Sequence, residues 1–343
     1  MSRRNRPGSG RITLGDVAEH VGVSKITVSR ALRQPDKVAD PLRQRILDAV
    51  DALGYIPNRQ AGSLASARTH AIALLVPSLS NGVFSDVLRG VDDIVQDTGY
   101  QVLLGHSGYS LQEEEHLVST YLGYGVEGFI LPSGQHTDRT LSLLSRSGLP
   151  VVEIMGLSDT PIDMSVGLDH EKAGYSMTQA LIEAGFQQIG FGGARMDYRA
   201  RQRHQGWQRA LREAGRRDDI CMTTTRPSSF RFGGALLNDM MTRWPSLDAL
   251  FMCNDDLAAG ALFECQRRGI LLPDDLALAG FNGMDITAST EPALTTVMTP
   301  RRTIGQEAAR RLLARLEGDS SLSSSLDVGF EIAWRASTTR TRR

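Results

Sequence analysis

The chain has 343 residues, 41% hydrophobic and 22% charged, which is long for one ordinary domain and too apolar for wholesale disorder. No stretch nears the roughly 18 consecutive apolar residues of a membrane helix, and the basic start MSRRNRPGSGRITLGD lacks the apolar run of a secretory signal, so a cytoplasmic location is expected. The net charge of −1 conceals a basic head, residues 1–68 with 12 Lys/Arg against 6 Asp/Glu, on an acidic body of 275 residues with 26 against 33, the pattern of a nucleic-acid module joined to a different domain.

In chain order, Leu14, Val17, Ala18 and Val21 fall on one face of a short helix, with Thr13 and Asp16 spaced as a capping box. Gly22 stops that helix and Ser24 is placed to cap the next, Lys25 to Leu32. Two short helices about a Gly-containing turn form a helix-turn-helix, whose second helix enters the DNA major groove. A third helix is expected from Asp40 as N-cap and Pro41 at its first position to Gly54, burying Leu42, Ile46, Ala49, Val50 and Leu53. Pattern alone leaves an ordinary three-helix bundle as the alternative. After Pro57, Asn58 can cap two turns from Arg59 to Ser66, too short to be stable without a partner surface.

Beyond residue 69 apolar runs fit for buried parallel strands recur at 72–76, 101–105, 128–131, 150–154, 188–191, 250–252 and 276–279. Helical stretches lie between them, the first from Val83 to Thr98 before Gly99. Such alternation over 275 residues implies two α/β lobes with parallel sheets, whose binding sites form at the carboxyl ends of strands. Cys221, Cys253 and Cys265 share no metal-ligand spacing, the seven histidines are scattered, no Walker A string occurs, and the glycines around Gly123-Tyr-Gly125, which match Gly-x-Gly-x-x-Gly over 123–128, are too generic to cradle phosphates. No enzyme, metal or cofactor is expected.

The strings ITLGDVA (12–18), GVSKITVSR (22–30) and GYIPNR (54–59) closely resemble the N-terminal domain of the LacI/GalR family of bacterial transcriptional repressors. The resemblance continues over nearly the whole chain. Within the family PSLSNGVFSDVLRG (77–90), CNDDLAAGALFECQRRG (253–269) and AGFNGMDI (279–286) look most like the gluconate-utilisation repressors. It implies an α plus α/β chain: a helix-turn-helix head over 11–57, a hinge helix and linker over 58–68, and a periplasmic-binding-protein-like body over 69–343. In that body the N-lobe takes about 69–167 plus 299–325, and the C-lobe about 168–298 plus 326–343.

The resemblance also implies roles. Lys25 and Ile26 take the base-reading positions; a lysine can donate to a guanine edge, whereas an isoleucine can only touch a thymine methyl. Leu14, Ser24, Thr27, Ser29, Arg30 and Arg59 match positions at or beside the groove. Thr13 and Asn58 match phosphate-side positions that set register. Leu64 matches the leucine that wedges into the minor groove, a contact that kinks DNA.

In the body, Arg203 matches the family arginine that points into the cleft, where a guanidinium fork can grip a carboxylate or vicinal hydroxyls. Asn254 matches an asparagine that bonds sugar hydroxyls, with Asp255 the expected helix cap. Phe84 matches an aromatic cleft position, and Ser78 and Asn81 offer polar groups nearby. Arg199, Arg201 and Arg209 read as an exposed basic helix face, and His106 as a loop histidine. Phe230 does not align cleanly with the family aromatic.

Two departures matter. Asn282 stands where sugar-binding branches carry Asp, and Met155 where a strand commonly ends in Asp, with Glu153 earlier in that strand. Losing two acidic groups while keeping Arg203 favours an anionic sugar acid over a neutral sugar. The expected protein is a homodimeric repressor on a palindromic operator, released by gluconate or a relative such as a ketogluconate or 6-phosphogluconate. A ligand acting as corepressor, and a solute-binding protein, are the alternatives.

Overall fold

A computed structural model describes residues 12–56, 68–80 and 82–340, which divide into a head, up to Thr69, and a body from His70. In the head, helices α1 (Leu14–Val21), α2 (Lys25–Arg33) and α3 (Asp40–Leu53) bury Val17, Ala18, Val21, Val28, Ala31, Ile46 and Ala49 together. Leu42, Val50 and Leu53 pack against that cluster partly exposed.

The capping box forms in full. The Thr13 N–H donates to Asp16 Oδ2 at 2.7 Å and the Thr13 hydroxyl accepts from the Asp16 N–H. Gly22 closes α1 at φ +77, a left-handed cap that a side chain would strain. Ser24 Oγ then accepts the Thr27 N–H at 3.1 Å and starts α2.

Asp40 departs from expectation. Ala39 holds the N-cap position, Asp40 is already helical, and its carboxylate turns to Arg43 at 3.1 Å instead of to a backbone amide. A carboxylate in the first turn still suits the helix dipole.

The body holds two six-stranded sheets among the described residues. The first is ordered β11 (Ser325–Asp327), β5 (Met164–Leu168), β4 (Val151–Gly156), β3 (Phe129–Pro132), β1 (Ala71–Val76), β2 (Gln101–His106), all parallel. The second is ordered β12 (Glu331–Ala333), β10 (Thr295–Met298), β9 (Ala277–Asn282), β8 (Ala249–Met252), β6 (Ile189–Gly193), β7 (Cys221–Thr223). Only the edge strand β12 runs antiparallel.

Apolar runs explain most of the central strands, and every residue of β4, β5, β6, β8 and β9 is buried, the polar Ser165 of β5 included. The chain leaves the first lobe after β5, returns after β10, and crosses again between Asp327 and Glu331. That last crossing falls after β11, whereas residue 325 was the expected border. The first body helix, α4, spans Gly82–Val95 and stops short of the expected Thr98. α5 (Leu111–Gly123), α6 (Asp138–Ser147), α7 (His170–Glu183), α8 (Tyr198–Glu213), α9 (Phe230–Arg243), α10 (Asp255–Arg268), α11 (Ile286–Ser289) and α12 (Arg301–Leu316) complete the layers.

α4 and α12 belong to the first lobe and cross in near-backbone contact. A Cβ on Gly90 would lie 2.1 Å from the Arg302 carbonyl oxygen, and one on Gly305 would lie 2.1 Å from that of Val87. Asp93 accepts from Arg302 at 2.6 Å and Gln306 at 2.9 Å beside the crossing. Helix propensity alone would make Gly90→Ala stabilising by about 1 kcal/mol. The clash with an immovable carbonyl reverses the sign, so chemical denaturation is expected to show a loss of about 1–3 kcal/mol.

The same lobe buries a charged cluster. His136 Nδ1 lies 2.6 Å from Glu114 Oε1, and its Nε2 sits 3.6 Å from Glu153 Oε1, an ion-pair separation too long for a hydrogen bond. Burial pushes the imidazole down, but the Glu114 hydrogen bond and the two carboxylates outweigh it and raise the pKa to about 9. Since the folded value exceeds the unfolded 6.5, this group's stabilisation is complete below pH 6.5 and fades as pH rises through 9. It is expected to amount to about 3 kcal/mol at most. Urea midpoints measured from pH 6 to 10 should fall across that window, and His136→Gln should flatten the fall.

Candidate functional site

On the head, Leu14, Lys25, Ile26, Ser29 and Arg30 border one shallow depression together with Arg33 and Gln34. Ile26 is 70% exposed, an isoleucine projecting from a helix whose other outward residues are polar or basic. Lys25 folds its chain towards Gly15, where a Cβ would meet its Cε at 2.9 Å. Thr13, Ser24 and Thr27 use their side-chain oxygens to start α1 and α2. Asn58, Arg59, Leu64 and Asn81 lie outside the described residues.

In the body, a cavity of about 290 Å³ opens where the carboxyl ends of the two sheets face each other. Ser78 and Phe84 border it from the segment after β1, Met155 from β4, and Arg203 from α8. Asn254 borders it from the end of β8 and Asn282 from the end of β9. The structure thus brings Ser78, Phe84, Arg203, Asn254 and Asn282 together on one wall system. His106, exposed at the end of β2, is not on that wall.

Arg203 is 6% exposed, yet its partners are neutral. Its Nε donates to His170 Nδ1 at 3.2 Å, its Nη1 to the Cys253 carbonyl at 2.6 Å, and its guanidinium lies 3.6 Å from the centre of the Phe281 ring. Among the described residues no carboxylate lies within ion-pair distance of it. Burial pulls its pKa down to about 10, so it remains a cation at neutral pH.

His170 supports this arrangement as a neutral ring. It is fully buried, and burial together with the charges of Arg203 and Arg199 holds its pKa far below 6.5. With Nδ1 accepting from Arg203, its proton sits on Nε2 and is donated to the Met155 carbonyl at 2.8 Å. Met155 carries φ +76 to present that carbonyl.

Arg199 overturns the reading of an exposed face. It is 8% exposed, borders the cavity, lies 5.4 Å over Phe84 and pairs with Asp197 at 3.0 Å. Arg201 and Arg209 are exposed as expected. The i, i+4 spacing of Arg199 and Arg203 puts both on one helix face, a signal the sequence contained.

Asp197 also accepts the Ala200 N–H at 3.0 Å as the N-cap of α8. Burial opposes its ionisation, but Arg199, that N–H and Arg203 hold its carboxyl well below the usual range. With Asp256 it gives the wall two acidic groups, so the cleft is not stripped of them. Tyr109 and Phe230 border the cavity as well, and Arg195 stacks on the Tyr109 ring at 3.8 Å.

Asn254, not Asp255, caps α10: its Oδ1 accepts the Leu257 N–H at 3.1 Å and the Ser228 hydroxyl at 3.0 Å. Asp255 is wholly buried behind it and accepts from the Met284 N–H and the Thr296 hydroxyl, both at 2.7 Å. Burial outweighs those bonds and pushes its pKa up to about 6.

Among the described residues no helix is long and apolar enough to cross a membrane, and no group of three or more His, Cys, Asp or Glu is arranged to hold a metal ion.

Family models match twice: bacterial regulatory proteins of the lacI family over residues 13–58, and a periplasmic-binding-protein-like domain over residues 178–338. The chain is 43% identical to the HTH-type transcriptional regulator GntR of Escherichia coli strain K12, covering 94% of this chain and 97% of that protein. It is 40% identical to the regulator of the same name from Pseudomonas aeruginosa, over 98% of each. A solved structure of a LacI-family transcriptional regulator from Silicibacter pomeroyi superposes with a TM-score of 0.90 at 37% identity, covering 96% of this chain and all of that one.

Asn282 sits on the wall at φ +117, a backbone conformation that costs an ordinary side chain of order 1–3 kcal/mol. Asn282→Gly is therefore expected to raise the unfolding free energy by about 1 kcal/mol, after the greater unfolded freedom of glycine is subtracted. Thermal and urea melts of the two proteins check this.

Proposed function

The chain belongs to the LacI family of bacterial regulatory proteins, and on that footing we propose that it represses sugar-acid catabolism genes from the cytoplasm, as a DNA-binding homodimer released by gluconate. The observation that carries the ligand class is Arg203: a cation removed from water, facing a cavity, with neutral partners alone. A buried charge of this kind is favourable only once an anion joins it. The carboxylate of a sugar acid supplies that anion in bidentate form.

The remaining wall suits the rest of such a ligand. Asn254, Ser228, Asn282 and Ser78 offer amide and hydroxyl groups to a polyol chain. Arg199 is already neutralised by Asp197, which favours a ligand with one negative charge. A monoanionic six-carbon acid fits this balance better than a phosphorylated one. Among the described residues no set on the wall is arranged as a nucleophile with its base, so the reading is of a regulator and not of an enzyme.

Mechanistically, a ligand touching both walls favours the arrangement of the body in which they approach. Operator binding needs two heads at a fixed spacing, because one recognition helix reads few bases. If the two requirements call for different shapes of the dimer, ligand and DNA oppose each other. A hundredfold loss of operator affinity needs a coupling of about 2.7 kcal/mol.

A mobility-shift titration on a palindromic operator fragment tests the reading. Gluconate is expected to release the DNA, glucose to leave it bound, and Arg203→Ala to bind operator but ignore gluconate. Tightening by gluconate would make the ligand a corepressor. Indifference of the unaltered protein to every sugar acid in a panel with ketogluconate and 6-phosphogluconate would refute the effector assignment.

A further inference from the structure

Asn282 presents its side chain to the cavity from a residue that is 7% exposed, and among the described residues that amide makes no hydrogen bond. Its backbone is held more firmly. The Thr299 hydroxyl donates to the Asn282 carbonyl at 3.0 Å, and Arg301 Nη1 donates to the same oxygen. Arg301 Nη2 reaches the next carbonyl, that of Gly283, at 3.4 Å.

The other edge of the same guanidinium grips Asp86. Nε and Nη2 lie 2.9 and 2.8 Å from Asp86 Oδ2. Asp86 belongs to α4, two residues beyond Phe84 on the opposite wall of the cavity. Arg301 itself opens α12, the helix locked to α4 through Gly90 and Gly305, and it does not border the cavity. On the far side the turn is pinned as well, because Thr296 Oγ1 accepts the Gly283 N–H at 3.2 Å and Asp255 accepts that of Met284.

We propose that Arg301 is a positioning residue of the effector site: anchored by Asp86 in one lobe, it fixes the Asn282 backbone of the other and so aims the Asn282 amide at the ligand. Only an arginine fork serves both ends, since its donors diverge in one plane; a lysine concentrates its donors on one atom. The inference rests on the cleft being the sugar-acid site. It adds that affinity depends on a residue that never touches the ligand, and that the tie between the lobes passes through the residue that does.

Calorimetric titration of gluconate into the full-length protein tests it. A hydrogen bond to a charged or well-oriented group converts to about tenfold in affinity, so Arg301→Met should weaken gluconate binding by about tenfold or more. Arg301→Lys should fall between. Asp86→Ala, which leaves Arg301 in place but unanchored, should lose about threefold to fivefold and serves if the Met variant does not fold.

The discriminating measurement is Arg301→Met combined with Asn282→Ala. If Arg301 acts through Asn282, the double variant binds no more weakly than Asn282→Ala alone. Multiplying losses, or gluconate binding within twofold of the unaltered protein in Arg301→Met, overturn the proposal. Failure of the unaltered protein to bind gluconate refutes the effector reading, and the inference with it, before any variant is compared.

Discussion

The cleft is organised around a cation that the fold removes from water without giving it an anion. Arg203 could have been neutralised by an acidic residue at position 155 or 282, but those positions hold Met and Asn. Its fork is instead oriented by a histidine kept neutral, a backbone carbonyl and an aromatic ring. Each partner fixes direction and none cancels charge. His170 matters most here, because a protonated imidazole at that position would repel the guanidinium and lose the lone pair that accepts from it. The same burial that costs Arg203 part of its hydration also holds His170 in the required form.

That arrangement needs two lobes. Parallel strands end together, so each sheet offers a row of loops and helix starts at one edge, and the cavity lies where two such rows meet. The chain crosses between lobes three times, which allows one lobe to tilt on the other without unfolding either. The α4–α12 crossing, in contrast, is stiff: two glycines let the backbones meet, and any side chain there would force them apart. A stiff pair of helices that carries Phe84 to the cavity wall and Asp86 to Arg301 transmits a shift at the wall as a shift of the whole pair.

How much of this the sequence showed depends on whether the signal was local. Capping boxes and glycine stops are local, and Thr13, Asp16, Gly22 and Ser24 behave as their spacing predicts. Central strands are long apolar runs and were legible for the same reason. β5, β7, β10, β11 and β12 were not, because each is three to five residues long and several, such as Met164–Leu168 with Ser165 and Gly167 in its middle, have no continuous apolar run. Asp40 misled because an acid before proline resembles a cap, whereas its carboxylate found Arg43 first.

The cleft misled in a more instructive way. Of the five arginines within Tyr198–Glu213, Arg199, Arg201 and Arg209 read as a solvated face, and two of those three are. Arg199 is the exception, because Asp197 caps the helix and pairs with it in a single geometry that only the folded turn creates. Asp255 is a similar case, a residue adjacent in sequence to the expected cap and yet buried behind it. On one cavity wall and directly behind it the fold therefore collects a cation without a carboxylate partner, a carboxyl lifted towards neutrality, and positive φ at Met155 and Asn282. Elsewhere such costs would be removed by the obvious substitutions. Their concentration here means that the cleft is less stable than the chain could make it, and a ligand that satisfies the cation recovers part of that difference only in the shape it binds. The stored cost is then the source of the free energy by which an occupied cleft can favour one arrangement of the lobes over another.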